Sequence, residues 1–430
     1  MVKITFIGAG SVVFTRELLS DLLAFEELAD THIALYDIDA ERLETAAAMA
    51  RWTDAQFGGR ATITTHADRR EALSGADFVI NTVQVGMHAA TLTDFEIPAR
   101  YGLRQTIGDT LGIGGIFRAL RTIPLLLEIG DELAEVAPDA WLLNYTNPMA
   151  ILTQAYAEGS PHKQVVGLCH SVQHTTLELA KLLRVPFDEV TFLGAGVNHQ
   201  AFLLRFERDG EDLYPRLREL MEEQPELKRR VRMELFTRLG YYPTESSEHN
   251  AEYLPWFMRD DALVERYRLK IGDYIERSEQ NMVEYRETKA GLAGGADFPL
   301  KRSLEYASLI VHAMVTGRPQ VIYGNVQNNG LIADLPARSA VEVPCLVDRT
   351  GLRPTPVPNY PPQLAALNRT FLNVADLTVR AALDGRRDHV LHAAMLDPAT
   401  AGTLDLDQTA ALVDELLAAH GGLMPEGLRA

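Results

Sequence analysis

Short apolar runs recur over residues 1–200: VKITFI, THIALYD, ADFVINTV, AWLLNY, QVVGL and VTFLGAG, with longer stretches of mixed polarity between them. Runs of this length read as strands buried on both faces, and the intervening stretches as amphipathic helices. The pattern predicts strands at 2–7, 31–37, 61–65, 77–83, 140–144, 164–168 and 189–195, with helices such as 11–25, 39–57 and 114–136 between them. Regular alternation of this kind implies an α/β fold with a mostly parallel sheet and right-handed crossovers. Near residue 200 the alternation gives way to charged helical stretches (Glu207 to Leu239) and to loops rich in proline and glycine. The stretch 350–363 carries Pro354, Pro356, Pro358, Pro361 and Pro362 and reads as an ordered surface crossing. Helical segments at 371–384, 388–397 and 408–420 follow. Two parts are expected: residues 1–200, and a mixed α+β part, 201–430, built onto the first as a lid.

The first of these strands runs into Gly8-Ala9-Gly10-Ser11, and the second ends at Asp37. Gly8 and Gly10 let the backbone approach a pyrophosphate, and a helix starting near Ser11 aims its free N–H groups at the phosphates. Asp37 is placed to accept hydrogen bonds from ribose hydroxyls, which favours NAD over NADP. This makes residues 1–200 a Rossmann-like, NAD-binding part. The third glycine of the usual fingerprint is Val13, which should hold helix and strand further apart.

Composition narrows the classes. The 430 residues are 47% apolar, enough for several layers, and the formal charge of −18 excludes a basic nucleic-acid-binding surface. No apolar run approaches the roughly 20 residues of a membrane span. Two cysteines, Cys169 and Cys345, offer no disulfide framework, and the first strand starts at once, so a cytoplasmic protein with reduced thiols is expected.

Three polar groups follow predicted strands: Asn144-Tyr145-Thr146-Asn147-Pro148, Cys169-His170-Ser171 and Asn198-His199. In an open parallel sheet the crevice outside the strand ends binds ligands, so the three should converge. Cys169 and His199 form a soft-to-borderline donor pair suited to a divalent metal with open positions. Taken singly, either side chain could be a buried structural residue, and Asn147-Pro148 a turn. The glycine-rich run Thr106 to Gly115 reads as a covering loop or an anion cradle. The charged stretch 207–234 reads as a solvated face. The segment Tyr241 to His249 is dense in acid, hydroxyl and imidazole groups; it is a surface turn, or it overhangs the crevice and supplies a proton-transfer residue.

The stretches ITFIGAGS, IALYDID, TDFEIPARYGL, GGIFRALRTIP, LNYTNPMA, GLCHSVQ, TESSEHNAEYLPWF, VIYGNV and CLVD together resemble the NAD-dependent glycosidases of glycoside hydrolase family 4, over nearly the whole chain. The window Cys169-His170-Ser171-Val172 resembles the α-galactosidase (melibiase) type, whereas members acting on 6-phosphosugars carry Asp or Asn after the cysteine. The resemblance implies hydrolysis of α-galactosides such as melibiose, with NAD+ and a divalent metal, usually Mn2+. C3 of the sugar is oxidised, the C2 proton is removed, the glycosidic oxygen leaves, water adds, and the hydride returns. This family stands apart from two-carboxylate hydrolysis.

Residue roles follow from the same resemblance. Cys169 and His199 match the metal ligands, and Asn147 the asparagine that touches the sugar hydroxyls near C2 and C3. His170 matches the leaving-group acid. Tyr242, Glu248 and Tyr253 are candidates for the C2 base, with Glu248 preferred as an ionised carboxylate. A homodimer or homotetramer is implied as well. Rival readings are a 2-hydroxyacid dehydrogenase sharing the lactate/malate dehydrogenase-like plan, a silent NAD-sensing protein, and a sibling acting on α-glucosides or α-uronides. The Cys169/His199 pair argues against the dehydrogenase, and the acidic surface disfavours a uronide.

Overall fold

The computed structural model describes residues 1–429. Its apolar runs become β1 (Lys3–Ile7), β2 (His32–Tyr36), β3 (Thr62–His66), β4 (Phe78–Asn81), β5 (Trp141–Asn144) and β6 (Val165–Leu168). These six pair in parallel in the order β3-β2-β1-β4-β5-β6, the doubly wound arrangement. Residues Ile4 to Ile7, Phe78 to Asn81 and Leu142 to Asn144 are buried throughout, because helices cover both faces. The edge strand β3, TITTH, is correspondingly polar and partly exposed. On one face lie the Val12–Leu23 and Ala40–Gln56 helices, which pack on each other. On the other lie the Gly112–Val136, Met149–Gly159 and Pro362–Asp384 helices, which do likewise.

The second half does not form a separate sheet. It contributes β7 (Val190–Val197), β8 (Gln200–Arg208), β9 (Glu211–Asp212), β10 (Tyr242–Pro243), β11 (Gln320–Gln327), β12 (Ala340–Asp348) and β13 (Gly351–Pro354). β11 joins β6 in antiparallel fashion, and β12, β7, β8 and β10 follow, giving one continuous sheet of 13 strands. β7, expected as a further parallel strand, is antiparallel to β8 and β12, so the sheet changes character between β6 and β7, ahead of the expected break at 200. The reason is local: only the two residues Asn198 and His199 separate β7 from β8, a hairpin connection too short for a parallel crossover. The charged stretch from Glu207 likewise opens as the end of this hairpin, with α-helices at Tyr214–Glu223 and Val231–Leu239 and a 3₁₀ helix at Pro225–Arg229 between them. In the proline-rich crossing, β13 pairs with β12 as a branch off the main ladder, and Pro362 opens the Pro362–Asp384 helix, where a missing N–H costs nothing.

Candidate active site

The glycine loop has the expected form. Gly8 sits at φ +83°, and Gly10 lies so close to the end of β2 that a Cβ there would come 2.6 Å from Asp37 Oδ2. The Gly10 N–H donates to that oxygen at 2.7 Å, while Asp37 Oδ1 accepts from Asp39 N at 2.9 Å. Asp37 therefore ties the glycine turn to the segment that follows β2. Ser11 caps the Val12–Leu23 helix without a side-chain bond, which leaves first-turn N–H groups open to an anion.

Beside this crevice, past the ends of β5 and β6, opens a cavity of about 630 Å³. Phe14, Tyr145, Asn147, Cys169, His170 and His199 line it, so the three polar groups that follow strands do converge. The Asn147-Pro148 peptide is cis and leads into the Met149–Gly159 helix; Asn147 Nδ2 donates to Asp109 Oδ2 at 3.2 Å, and its Oδ1 is buried without a partner. Cys169 Sγ and His199 Nε2 lie 3.5 Å apart, and Glu245 Oε2 is 3.6 Å from the same nitrogen. These three donor atoms all fall within 4.8 Å of one another. Two donors at about 2.3 Å (sulfur) and 2.1 Å (nitrogen) from one ion would be separated by such a distance. Asp109, His199 and His249 form an overlapping set that shares His199.

Backbone and electrostatics fit a cation here. His199 (φ +64°) and Glu245 (φ +68°) both adopt the left-handed conformation, uncommon for residues with side chains and enriched at functional sites. Burial, reinforced by Glu245 and Glu342, pushes the Cys169 thiol up to about 12, so a thiolate at neutral pH needs a positive charge on its sulfur. Burial works against ionising Glu245, yet His249, His199 and His170 bring it down to about 2. The other nitrogen of His199, Nδ1, lies 2.8 Å from Thr110 Oγ1, which in turn donates to Asp109 Oδ1 at 2.7 Å. A carboxylate–hydroxyl–imidazole chain of this kind fixes the tautomer that presents Nε2 to a metal.

His170 is half-exposed at the cavity wall, its Nδ1 2.7 Å from Glu305 Oε1. That bond raises the imidazole to about 10 against the opposing effect of burial. Of the proposed bases, none lines the cavity. Tyr242 is buried between β8 and the ring of Phe236, with the Arg232 guanidinium over it. Tyr253 packs edge-on against Phe371. Glu248 points the other way, its carboxylate 3.9 Å from Arg230. In the Ser247–Glu252 helix and its lead-in, Glu245 and His249 are one turn apart and face inward, and Glu248 lies off that face. Sequence reading singled out the segments that hold Glu245, His249 and Asp109 without assigning those residues, and passed over Tyr274. The spacing of four between Glu245 and His249 was the available signal. Tyr274, at the head of the Asp273–Gly294 helix, offers its hydroxyl to the cavity and accepts a bond from the buried Arg118 guanidinium at 3.2 Å.

Residues 3–185 match the model of the family 4 glycosyl hydrolases, and residues 194–400 that of the family 4 glycosyl hydrolase C-terminal domain. An alpha-galactosidase of Bacillus subtilis (strain 168) is 44% identical over 431 residues, covering 99% of this chain and 100% of that protein. A 6-phospho-alpha-glucosidase from gut microorganisms, solved in complex with NAD and Mn2+, superposes with a TM-score of 0.84 at 20% identity, covering 99% of each chain. A malate dehydrogenase of Plasmodium falciparum shares the plan at a TM-score of 0.55 and 13% identity, over 89% of this chain and 99% of that one.

Proposed function

The chain belongs to the family 4 glycosyl hydrolases, and from that premise we propose that it is an NAD+- and Mn2+-dependent α-galactosidase. One observation carries the reading: a Cys169–His199–Glu245 donor set lines a cavity that Phe14, from the helix following the glycine loop, also lines, the apparatus of a dehydrogenase on a chain similar throughout to a hydrolase.

Gly8, Gly10, the N-terminus at Ser11 and Asp37 would hold NAD+, and Cys169, His199 and Glu245 the metal. When bound, the nicotinamide accepts a hydride from the sugar and the metal polarises the resulting carbonyl, which acidifies the neighbouring C–H. Asn147, with an unpartnered Oδ1, accepts a sugar hydroxyl. Tyr274 is the base for the C2 proton: it lines the cavity, and its hydroxyl oxygen is held in place by a hydrogen bond from the Arg118 guanidinium. His170, held protonated by Glu305, donates to the departing glycosidic oxygen.

The cavity's cations support a neutral sugar. Lys270 pairs with Glu276 at 2.5 Å and with Asp273 at 3.2 Å, and Arg277 pairs with Asp273 at 2.6 Å, so neither is left to meet a phosphate or a uronate. No helix among the described residues is long and apolar enough to cross a membrane. The two unpaired thiols suit the cytoplasm, and the homo-oligomer expected of the family completes the proposal.

The test is release of nitrophenol from 4-nitrophenyl α-galactoside, with NAD+ and Mn2+ supplied or omitted independently under reducing conditions. Release that requires both is the expected result. Activity on the α-glucoside alone, or accumulation of NADH without cleavage, would overturn the assignment.

A further inference from the structure

Glu252 is buried, lies outside the cavity, and has no part in the chemistry above. Its carboxylate is nevertheless fully engaged. Oε1 accepts from the backbone N–H groups of Thr106 (2.6 Å), Ile107 (2.9 Å) and Gly108 (3.0 Å), and Oε2 from Gly108 at 3.0 Å. The glycine-rich run is thus an anion cradle, but its anion belongs to the chain itself. Thr106 Oγ1 adds a bond to the Glu248 carbonyl at 2.8 Å, so the Ser247–Glu252 helix and the loop are joined at both ends.

The loop held in this way is the one that carries Asp109 and Thr110, and Thr110 bonds the metal-facing histidine. The same loop receives Gly272 N on the Gln105 carbonyl (2.9 Å) and Tyr274 N on the Thr106 carbonyl (3.1 Å), which seats the head of the helix that bears Tyr274. Resting on the metal reading of the site, we infer that Glu252 is a positioning residue: by gripping three consecutive N–H groups it sets the Asp109–Thr110 relay that orients His199, and with it the affinity for the divalent metal. A carboxylate answers three converging N–H donors with acceptors only, whereas an amide must turn an NH2 group toward at least one of them. Outer-shell partners of a metal-binding histidine typically govern about ten- to a hundred-fold in metal affinity.

The experiment is Mn2+ titration of the full chain, followed by the electron spin resonance of free Mn2+, on the parent, Glu252→Gln, Thr110→Val and Thr110→Ser. NAD+ affinity and amide hydrogen exchange at 106–108 in the metal-free protein are measured alongside. Glu252→Gln is expected to weaken Mn2+ binding about ten-fold or more, to speed exchange at 106–108, and to leave NAD+ affinity within two-fold. Thr110→Val should show the same metal loss, and Thr110→Ser, which keeps the hydroxyl, should restore it. If Glu252→Gln does not fold, Glu252→Asp is read in the same way, its shorter arm being unable to span all three donors. Parent-like Mn2+ affinity in the Glu252 variant, or in Thr110→Val, overturns the inference while leaving the metal site standing; a parent that binds no Mn2+ overturns both.

Discussion

Replacing Gly10 with alanine tests the nucleotide loop most directly. A Cβ there would stand 2.6 Å from Asp37 Oδ2 and 2.8 Å from Arg42 Cβ. Ordinary contact begins near 3.5 Å, so the carboxylate has to retreat by about 1 Å. The Gly10 N–H···Oδ2 bond, now 2.7 Å, would then exceed hydrogen-bonding distance, and the Arg42 bond to the Gly10 carbonyl (3.1 Å) would be disturbed as well. Loss of a hydrogen bond to a charged group costs about 1.5–3 kcal/mol, and the same displaced carboxylate is the one proposed to hold the ribose. NAD+ affinity should therefore fall by about ten- to a hundred-fold, with a lower melting temperature. Calorimetric titration of NAD+ and differential scanning calorimetry read both effects. In an Asp37→Ala background the extra cost of Gly10→Ala should shrink by at least about 1 kcal/mol, because the atom it strikes is gone. A Gly10→Ala protein that binds NAD+ within two-fold of the parent and melts at the same temperature would refute the reasoning.

Cys169→Ser should abolish Mn2+-dependent cleavage and leave NAD+ affinity nearly unchanged; full activity would remove the ligand assignment. Tyr274→Phe should lower kcat by about a hundred-fold or more and abolish exchange of the C2 proton with deuterated solvent; wash-in at the parent rate would exclude the tyrosine. His170→Ala should cost more on melibiose, whose leaving alkoxide needs a proton, than on 4-nitrophenyl α-galactoside, whose phenolate does not, and equal losses would deny it the acid role. His162 is buried between Tyr156 and the Ala140 carbonyl, and burial lowers its imidazole below 6.5. The unfolded chain then binds the extra proton, so this stability is complete above pH 6.5 and declines below it, by up to about 1.4 kcal/mol per pH unit. Urea midpoints at pH 7.5 and 5.0 should differ less in His162→Gln; an unchanged difference would show that other groups drive acid unfolding.

Strand positions were legible because β1, β4, β5 and β6 are buried on both faces and are mostly apolar. The antiparallel half was harder to read: β9 and β10 span two residues each, and β7 carries the same kind of apolar run as a parallel strand. Cys169 and Asn147 could be found because each follows a parallel strand, where topology predicts convergence; His199 follows the antiparallel β7, and its donor chemistry, not the topology, was the signal. Tyr274 and Asp109 reach the cavity from a helix head and a loop, through backbone bonds to Gln105 and Thr106 that no local pattern encodes. Glu248 and Glu245 are chemically equal on paper; only the turn of the helix separates one facing Arg230 from one facing His199.

The unbroken ladder from β3 to β10 also governs how the molecule can open. Where two domains meet across a linker, substrate is commonly admitted and trapped by their swinging together. Here the two halves share hydrogen bonds between β6 and β11, and bending that joint would tear the sheet at its centre. Traffic must pass instead through smaller gates at the rim. The Asp273–Gly294 helix, largely solvent-facing and fastened at its head by the two bonds to Gln105 and Thr106, forms one wall of the cavity. In folds of this kind, closing over a substrate falls to helices and loops at the rim, with the sheet behind them left intact.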